Sequence, residues 1–139
     1  MARPRPAPRL FVDTSAWFAY VNRKDAHHEA VAEVLDGYPG RLLCSDYVLD
    51  ETVTLCRRRL GHAVAVKIGE VLFDAAAIDL VRVGSADLRA AWQLFKSRAD
   101  KPYSFTDCTS FVIMRRLKLA TAATLDDDFQ QEGFVSLPG

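Results

Sequence analysis

Apolar positions along this chain recur on two periods, and the switches between them mark out alternating strands and helices. Leu10-Phe11-Val12 is a short continuous apolar run, the form taken by a strand buried on both faces of a parallel sheet. It stops at Asp13-Thr14-Ser15, each of which can cap a helix start. Trp17, Phe18, Tyr20 and Val21 then follow helical spacing. A second helix is expected over residues 26–36, with Ala30, Val31, Val34 and Leu35 on one face, broken by Gly37-Tyr38-Pro39-Gly40. Leu42-Leu43-Cys44 reads as a second strand, and Ser45 or Asp46 can cap the helix after it. That helix carries Val48, Leu49, Val53, Leu55 and Cys56 and ends in Arg57-Arg58-Arg59, with Gly61 in the usual closing position.

Residues 63–77 are rich in Ala, Val and Leu and predict a further helix, and residues 78–83 alternate with period two as a third strand. Residues 85–97 form the next helix, with Leu88, Ala91, Trp92 and Phe95 at helical spacing. Lys101-Pro102-Tyr103 is a loop, and residues 104–117 are helical with Phe111, Val112 and Met114 inward. Residues 119–124 make a fourth strand of mostly small side chains, residues 125–131 a short acidic helical turn, and Phe134-Val135 a last edge strand. Strands alternating with helices of this length predict a three-layer α/β/α fold around a mainly parallel sheet of four to five strands.

Composition narrows the picture further. The 139 residues make one domain over 9–139, preceded by an arginine- and proline-rich leader over 1–8 that reads as unstructured rather than as a secretory signal, because it lacks an apolar segment. No apolar run approaches the roughly 20 residues that cross a bilayer. Cys44, Cys56 and Cys108 are odd in number and widely spaced, which points to reduced thiols and a cytoplasmic protein. With 18 basic and 18 acidic residues the formal charge is zero, so any grip on nucleic acid has to be local. The candidates are Arg57, Arg58, Arg59, Lys101, Arg115, Arg116 and Lys118, although basic residues closing a helix also serve its dipole.

The acidic residues carry the chemical signal. Ligands of open α/β sheets bind beyond the carboxyl ends of the strands. Asp13 follows the first strand directly and Asp126-Asp127-Asp128 follow the fourth. Glu51 lies about two turns into the helix after the second strand, and Asp107 is in the first turn of the helix leading to the fourth. Each has an ordinary alternative: Asp13 and Asp126 can be helix caps, and Ser104-Phe105-Thr106-Asp107 has the capping-box form. Glu51 shares a face with Val48, Thr52 and Leu55 and is expected to be partly buried, which is costly for an unsatisfied carboxylate. Converging carboxylates repel one another unless positive charge is supplied, and no lysine or arginine has an evident place among them. A hard divalent cation, Mg²⁺ or Mn²⁺, resolves that conflict. His27, His28 and His62 do not form a zinc set. Hydrolysis of a phosphodiester suits such a site best.

With these residues in place, the chain resembles the PIN domains, and among them the VapC-type toxins of bacterial and archaeal toxin–antitoxin pairs. The resemblance runs through Phe11-Val12-Asp13-Thr14-Ser15-Ala16, Glu51-Thr52, Ser104-Phe105-Thr106-Asp107-Cys108 and Ala123-Thr124-Leu125-Asp126-Asp127-Asp128-Phe129. It implies that Asp13, Glu51, Asp107 and Asp126 are the metal-binding, catalytic carboxylates, with Asp128 as an accessory ligand or the alternative fourth one. Thr14, Ser15, Ser104, Thr106 and Thr124 would support them. It implies further a Mg²⁺- or Mn²⁺-dependent endoribonuclease that dimerises and is held inactive by a small antitoxin protein. The competing reading from another class is a PIN fold that serves as an RNA-binding or assembly module without catalysis. Haloacid-dehalogenase phosphatases expect a second aspartate where this chain has Ser15, and phospho-accepting receiver domains expect an acidic pair and a lysine that are not in place.

Overall fold

The computed structural model describes residues 7–139; residues 1–6, most of the expected leader, lie outside the described residues. The elements run β1 (Arg9–Val12), α1 (Thr14–Val21), α2 (His28–Gly37), β2 (Arg41–Ser45), α3 (Asp46–Leu60), α4 (His62–Phe73), β3 (Ile78–Val81), α5 (Ser85–Ser97), α6 (Phe105–Arg116), β4 (Thr121–Ala123), α7 (Asp128–Gln131) and β5 (Val135–Leu137). The five strands form one sheet in the order β3-β2-β1-β4-β5, and every pairing is parallel. Helices flank it, as the alternation of periods predicts.

Leu10, Phe11 and Val12 are wholly buried, which is why the central strand reads as an unbroken apolar run. Trp17 of α1, Val31 of α2, Val48 and Cys56 of α3, and Phe111, Ile113 and Met114 of α6 close over the sheet. All three cysteines are free and buried, and burial pushes the Cys44 thiol up to about 12. Gly61 ends α3 at φ +98°, a conformation that favours glycine. Gly40 is fixed by space instead: a Cβ there would stand 1.9 Å from the Pro8 carbonyl oxygen, which accepts the Arg41 N–H at 2.9 Å and so seats the start of β2 beside β1.

One helix, α5, buries only part of its apolar stripe. Ala91 of α5 is buried and Leu88 half-buried, but Trp92 and Phe95 are exposed. Helical spacing correctly groups these aromatic rings; their stripe turns away from the sheet, towards the start of α6.

The strand order positions the site. From β1 the chain moves outward through β2 to β3, and then returns to the other side of β1 for β4 and β5. The topological switch point therefore lies between β1 and β4, and the crevice beyond their carboxyl ends is the expected ligand site of such a sheet. Asp13 leaves the end of β1 with its N–H on the Ala123 carbonyl (2.9 Å), the last residue of β4. The two strand ends that carry aspartates are thus bonded side by side.

Candidate active site

Asp13 occupies the N-cap position of α1 without capping it: its backbone is extended and its side chain makes no cap bond. The carboxylate, almost fully buried, instead receives the Ser15 hydroxyl (2.8 Å) and the Thr124 hydroxyl (3.1 Å), both on Oδ2. A hydroxyl has one proton to give. With both protons spent on Asp13, the 3.3 Å between Ser15 Oγ and Thr124 Oγ1 is a packing contact. Each oxygen also accepts a backbone N–H from the loop after β4, Leu125 to Ser15 (3.0 Å) and Asp126 to Thr124 (3.1 Å). Ser15 and Thr124 therefore lock the Asp126 loop to Asp13.

Asp107 is held from a third direction. It forms a full capping box with Ser104: Ser104 N–H donates to Asp107 Oδ2 (2.9 Å) and Asp107 N–H to Ser104 Oγ (3.0 Å). The cap and the acidic cluster are compatible roles, because Asp107, Asp126 and Asp128 each bring a carboxylate oxygen within 4.8 Å of the others. Asp107 is buried, Asp128 half-buried and Asp126 exposed, so the cluster opens outward past Asp126.

Electrostatics follow from this crowding. Burial, above all, pushes Asp13 up to about 7; its bond from Ser15 pulls the other way, and the charges of Asp126 and Asp107 add to the rise. Asp107 is pushed to about 6, again mainly by burial, with Asp128 and Asp126 contributing against its bonds to Ser104. Asp126 is raised by burial first and then by the charge of Asp128. Asp13, and less strongly Asp107, therefore hold their protons to higher pH than ordinary carboxylates, the behaviour of acids gathered where a cation belongs. The donor set is all oxygen and suits a hard divalent ion. Next to Asp13 in the chain, the Thr14 hydroxyl is buried without a partner.

Against this geometry the PIN domain family model matches residues 10–134, from the first core strand to the segment before β5. The chain belongs to the PIN-domain family. Its relatives place it among the VapC ribonucleases. It is 40% identical over 134 residues to the 23S rRNA-specific endonuclease VapC20 of Mycobacterium tuberculosis, covering 92% of this chain and 97% of that protein. It is 31% identical over 113 residues to a VapC ribonuclease of Archaeoglobus fulgidus, covering 78% of this chain and 71% of the relative. The crystal structure of M. tuberculosis VapC20, described as a sarcin-ricin loop cleaving toxin, superposes with a TM-score of 0.87 at 34% identity over 91% of this chain and 96% of that one. VapBC2 from Rickettsia felis, bound to a promoter DNA fragment, shares the fold at a TM-score of 0.68 and 11% identity, covering 93% of this chain and 97% of that one.

Within this PIN site the predicted residues fall into three groups. Asp107, Asp126 and Asp128 come together, and Asp13 lies near enough to feel the charges of Asp126 and Asp107; Ser104 is bonded to Asp107, and Ser15 and Thr124 to Asp13. Glu51 stands apart on α3: it is half-buried and outside the tight carboxylate group, one turn on from Tyr47, whose ring meets Phe105 of α6 at 6.3 Å. Thr106 enters through its carbonyl, which accepts the Thr109 (2.6 Å) and Ser110 (3.1 Å) hydroxyls inside α6. Among the basic candidates, Arg57, Arg58 and Arg59 are exposed on the last turn of α3, Lys118 is exposed beyond α6 and Lys101 is half-buried before it. Arg115 is committed to Glu132 (3.1 Å) and to the Phe134 ring (5.2 Å), and Arg116 to both oxygens of Asp87 (2.9 and 3.1 Å).

Glu132 is the site-supporting residue that sequence gives no means of finding. Its side chain, 4% exposed, receives Arg98 (3.0 and 3.2 Å), Tyr103 (3.0 Å) and Arg115 (3.1 Å). Burial alone would raise its pKa, and these donors reverse that and lower it. The network ties the end of α5, the loop before Ser104 and the end of α6 to the residue that closes α7. It braces the segment that carries Asp126 and Asp128 from behind.

Proposed function

We propose that this protein is a Mg²⁺- or Mn²⁺-dependent endoribonuclease that cuts a structured ribosomal RNA loop, and that it acts as the toxin of a toxin–antitoxin pair. The observation that carries the reading is the convergence of Asp107, Asp126 and Asp128 within 4.8 Å, beside a buried Asp13 whose pKa is raised to about 7. Asp13, Asp107 and Asp126 would hold the ion, with Asp128 as an accessory ligand, while Glu51 on α3 would act from outside this tight group. A divalent cation held there supplies positive charge for a phosphate oxygen and a bound water of lowered pKa.

The chain's own residues supply the rest. Ser15 and Thr124 fix the rotamer of Asp13, so its carboxylate is oriented before any ligand arrives. The Ser104 box does the same for Asp107. The first turn of α6, which begins beside Asp107, presents the positive end of a helix to an anionic substrate. The ribosomal target is supported by the 40% identity to a 23S rRNA-specific endonuclease across nearly the whole of both chains. An enzyme of this kind needs restraint in its own cell, which supports a small protein inhibitor. The exposed Val66 and Phe73 on α4 are candidates for a homodimer contact.

The test is cleavage of a synthetic RNA hairpin carrying the sarcin–ricin loop. The expected outcome is one cut in the loop with Mg²⁺ or Mn²⁺ present and none in EDTA. Cleavage that survives EDTA would remove the metal from the reading.

A further inference from the structure

Next to the acidic cluster lies an exposed aromatic surface that the carboxylate chemistry does not use. Trp92 and Phe95 of α5 are 51% and 39% exposed, and their rings stack at 5.8 Å and 14°. Phe105, the first residue of α6, meets both edge-on at 6.4 and 6.3 Å, and Tyr47 of α3 meets Phe105 from the other side at 6.3 Å. Phe105 stands two residues before Asp107, about 3 Å of axial rise on the same helix. The aromatic face and Asp107 thus share the N-terminal end of α6, with side chains two residues apart turned to different sides of the helix. A depression of about 450 Å³ adjoins it, with Trp92, Phe95, Lys96 and Lys101 in its wall.

Exposed aromatic rings cost free energy unless something covers them, and the surroundings favour one occupant. The face is built of flat rings, and its free cations are Lys96, exposed one turn after Trp92, and Lys101, half-buried in the loop before α6. Arg98, in the same depression, is already paired with Glu132. Rings interleaved with lysines beside a phosphodiester-cutting site match single-stranded nucleic acid, whose bases stack on aromatic side chains while its phosphates meet cations. This arrangement also meets the difficulty set by the zero net charge, since stacking provides affinity that does not need a basic domain.

We infer that Trp92 and Phe95, backed by Phe105 and flanked by Lys96 and Lys101, form a stacking platform for unpaired RNA bases next to the scissile phosphate. Trp92 is a substrate-positioning residue in this account. The inference rests on the ribonuclease reading above and names the part of the substrate that the site grips: bases of a loop rather than a duplex. Steady-state cleavage of the sarcin–ricin hairpin, measured for wild type, Trp92→Ala, Trp92→Phe and Phe95→Ala, tests it. Trp92→Ala and Phe95→Ala are expected to raise KM on the order of tenfold with kcat nearly unchanged, the scale of one lost base stack. Trp92→Phe is expected to restore most of the loss, and a hairpin whose loop nucleotides are abasic, which has no bases to stack, should be cut with the same KM by all four.

Fluorescence separates this idea from the ribonuclease reading. The chain has two tryptophans, and Trp17 is buried, so quenching of exposed-tryptophan emission by the hairpin reports on Trp92. Quenching without any cleavage by wild type would sink the ribonuclease reading and keep the platform. Unchanged KM in the alanine variants, or no quenching, would overturn the platform even if wild type cuts the hairpin. Loss of self-association in the alanine variants, with RNA kinetics intact, would reassign the face to a protein contact and overturn it equally.

Discussion

Replacing Asp13 with Asn is expected to reduce RNA cleavage by well over 100-fold and to make the metal-free protein more stable above neutral pH. The activity loss follows from position. Residues one step removed from a metal typically cost about 10–100-fold when changed, and Asp13 is the carboxylate that Ser15 and Thr124 orient within the cluster itself. The stability gain follows from linkage. The folded pKa of Asp13, about 7, lies above its ordinary 3.8, so folding takes up a proton between those values. The contribution of Asp13 to the stability of the metal-free wild type is therefore greatest on the acid side and falls as pH rises from about 4 to about 7. Asn cannot ionise, yet its side-chain oxygen can still accept from both hydroxyls. The variant should keep a flatter profile and exceed wild type at pH 8 by up to about 4 kcal/mol, about 1.4 kcal/mol for each of the roughly three pKa units. Chemical denaturation at pH 5 and pH 8 in EDTA measures both slopes. A variant less stable than wild type at pH 8 would mean that Asp13 is a structural carboxylate, satisfied without a cation.

Phe129→Ala should show the largest stability loss, about 3–5 kcal/mol, the range for truncating a buried aromatic ring. Phe129 is fully buried between Phe11 (6.2 Å), Phe111 (5.0 Å) and Phe134 (6.3 Å), and it directly follows Asp128. The ring anchors a four-residue helix, too short to hold itself, and through it the Asp126–Asp128 segment. The milder Phe129→Leu should cost less, on the order of 1–2 kcal/mol, and remain folded. It should still lower kcat, because a loosened anchor lets two carboxylates of the cluster wander. Thermal unfolding combined with kinetics at 20 °C would check this. Full activity in a destabilised Phe129→Leu would show that the acidic segment is held by Glu132 and its arginines alone.

Particular residues show what the sequence makes legible and why. Strand periodicity and strand ends place Asp13 and Asp126 just beyond the carboxyl ends of neighbouring strands, because a parallel sheet with one switch point leaves few places for acids there. Asp107 is harder. Its motif reads as a capping box, and the structure makes it both a cap and a member of the cluster, a double role that spacing cannot separate. The aspartate run stays ambiguous in sequence for a physical reason as well: Asp126 and Asp128 both reach the cluster, one from the loop and one from the first residue of α7. Glu132 escapes sequence reading because its partners Arg98, Tyr103 and Arg115 lie 17 to 34 residues away. Trp92 and Phe95 escape for the opposite reason. Helical spacing identifies an apolar stripe but not what covers it, and here Phe105 covers these rings only in part.

The central claim is that clustered carboxylates drive hydrolysis by water, and the chemistry of the cut tests it most directly. A sarcin–ricin hairpin carrying a single 2′-deoxy nucleotide at the cleavage position should be presented to the protein in Mg²⁺, and its product ends analysed. Attack by water leaves the neighbouring 2′-hydroxyl without a role, so the deoxy hairpin should be cut at a rate within a few-fold of the all-RNA hairpin, and neither should yield a 2′,3′-cyclic phosphate. Complete protection by the one deoxy substitution, with a cyclic phosphate on the all-RNA product, would contradict the account, because the RNA itself would then supply the nucleophile.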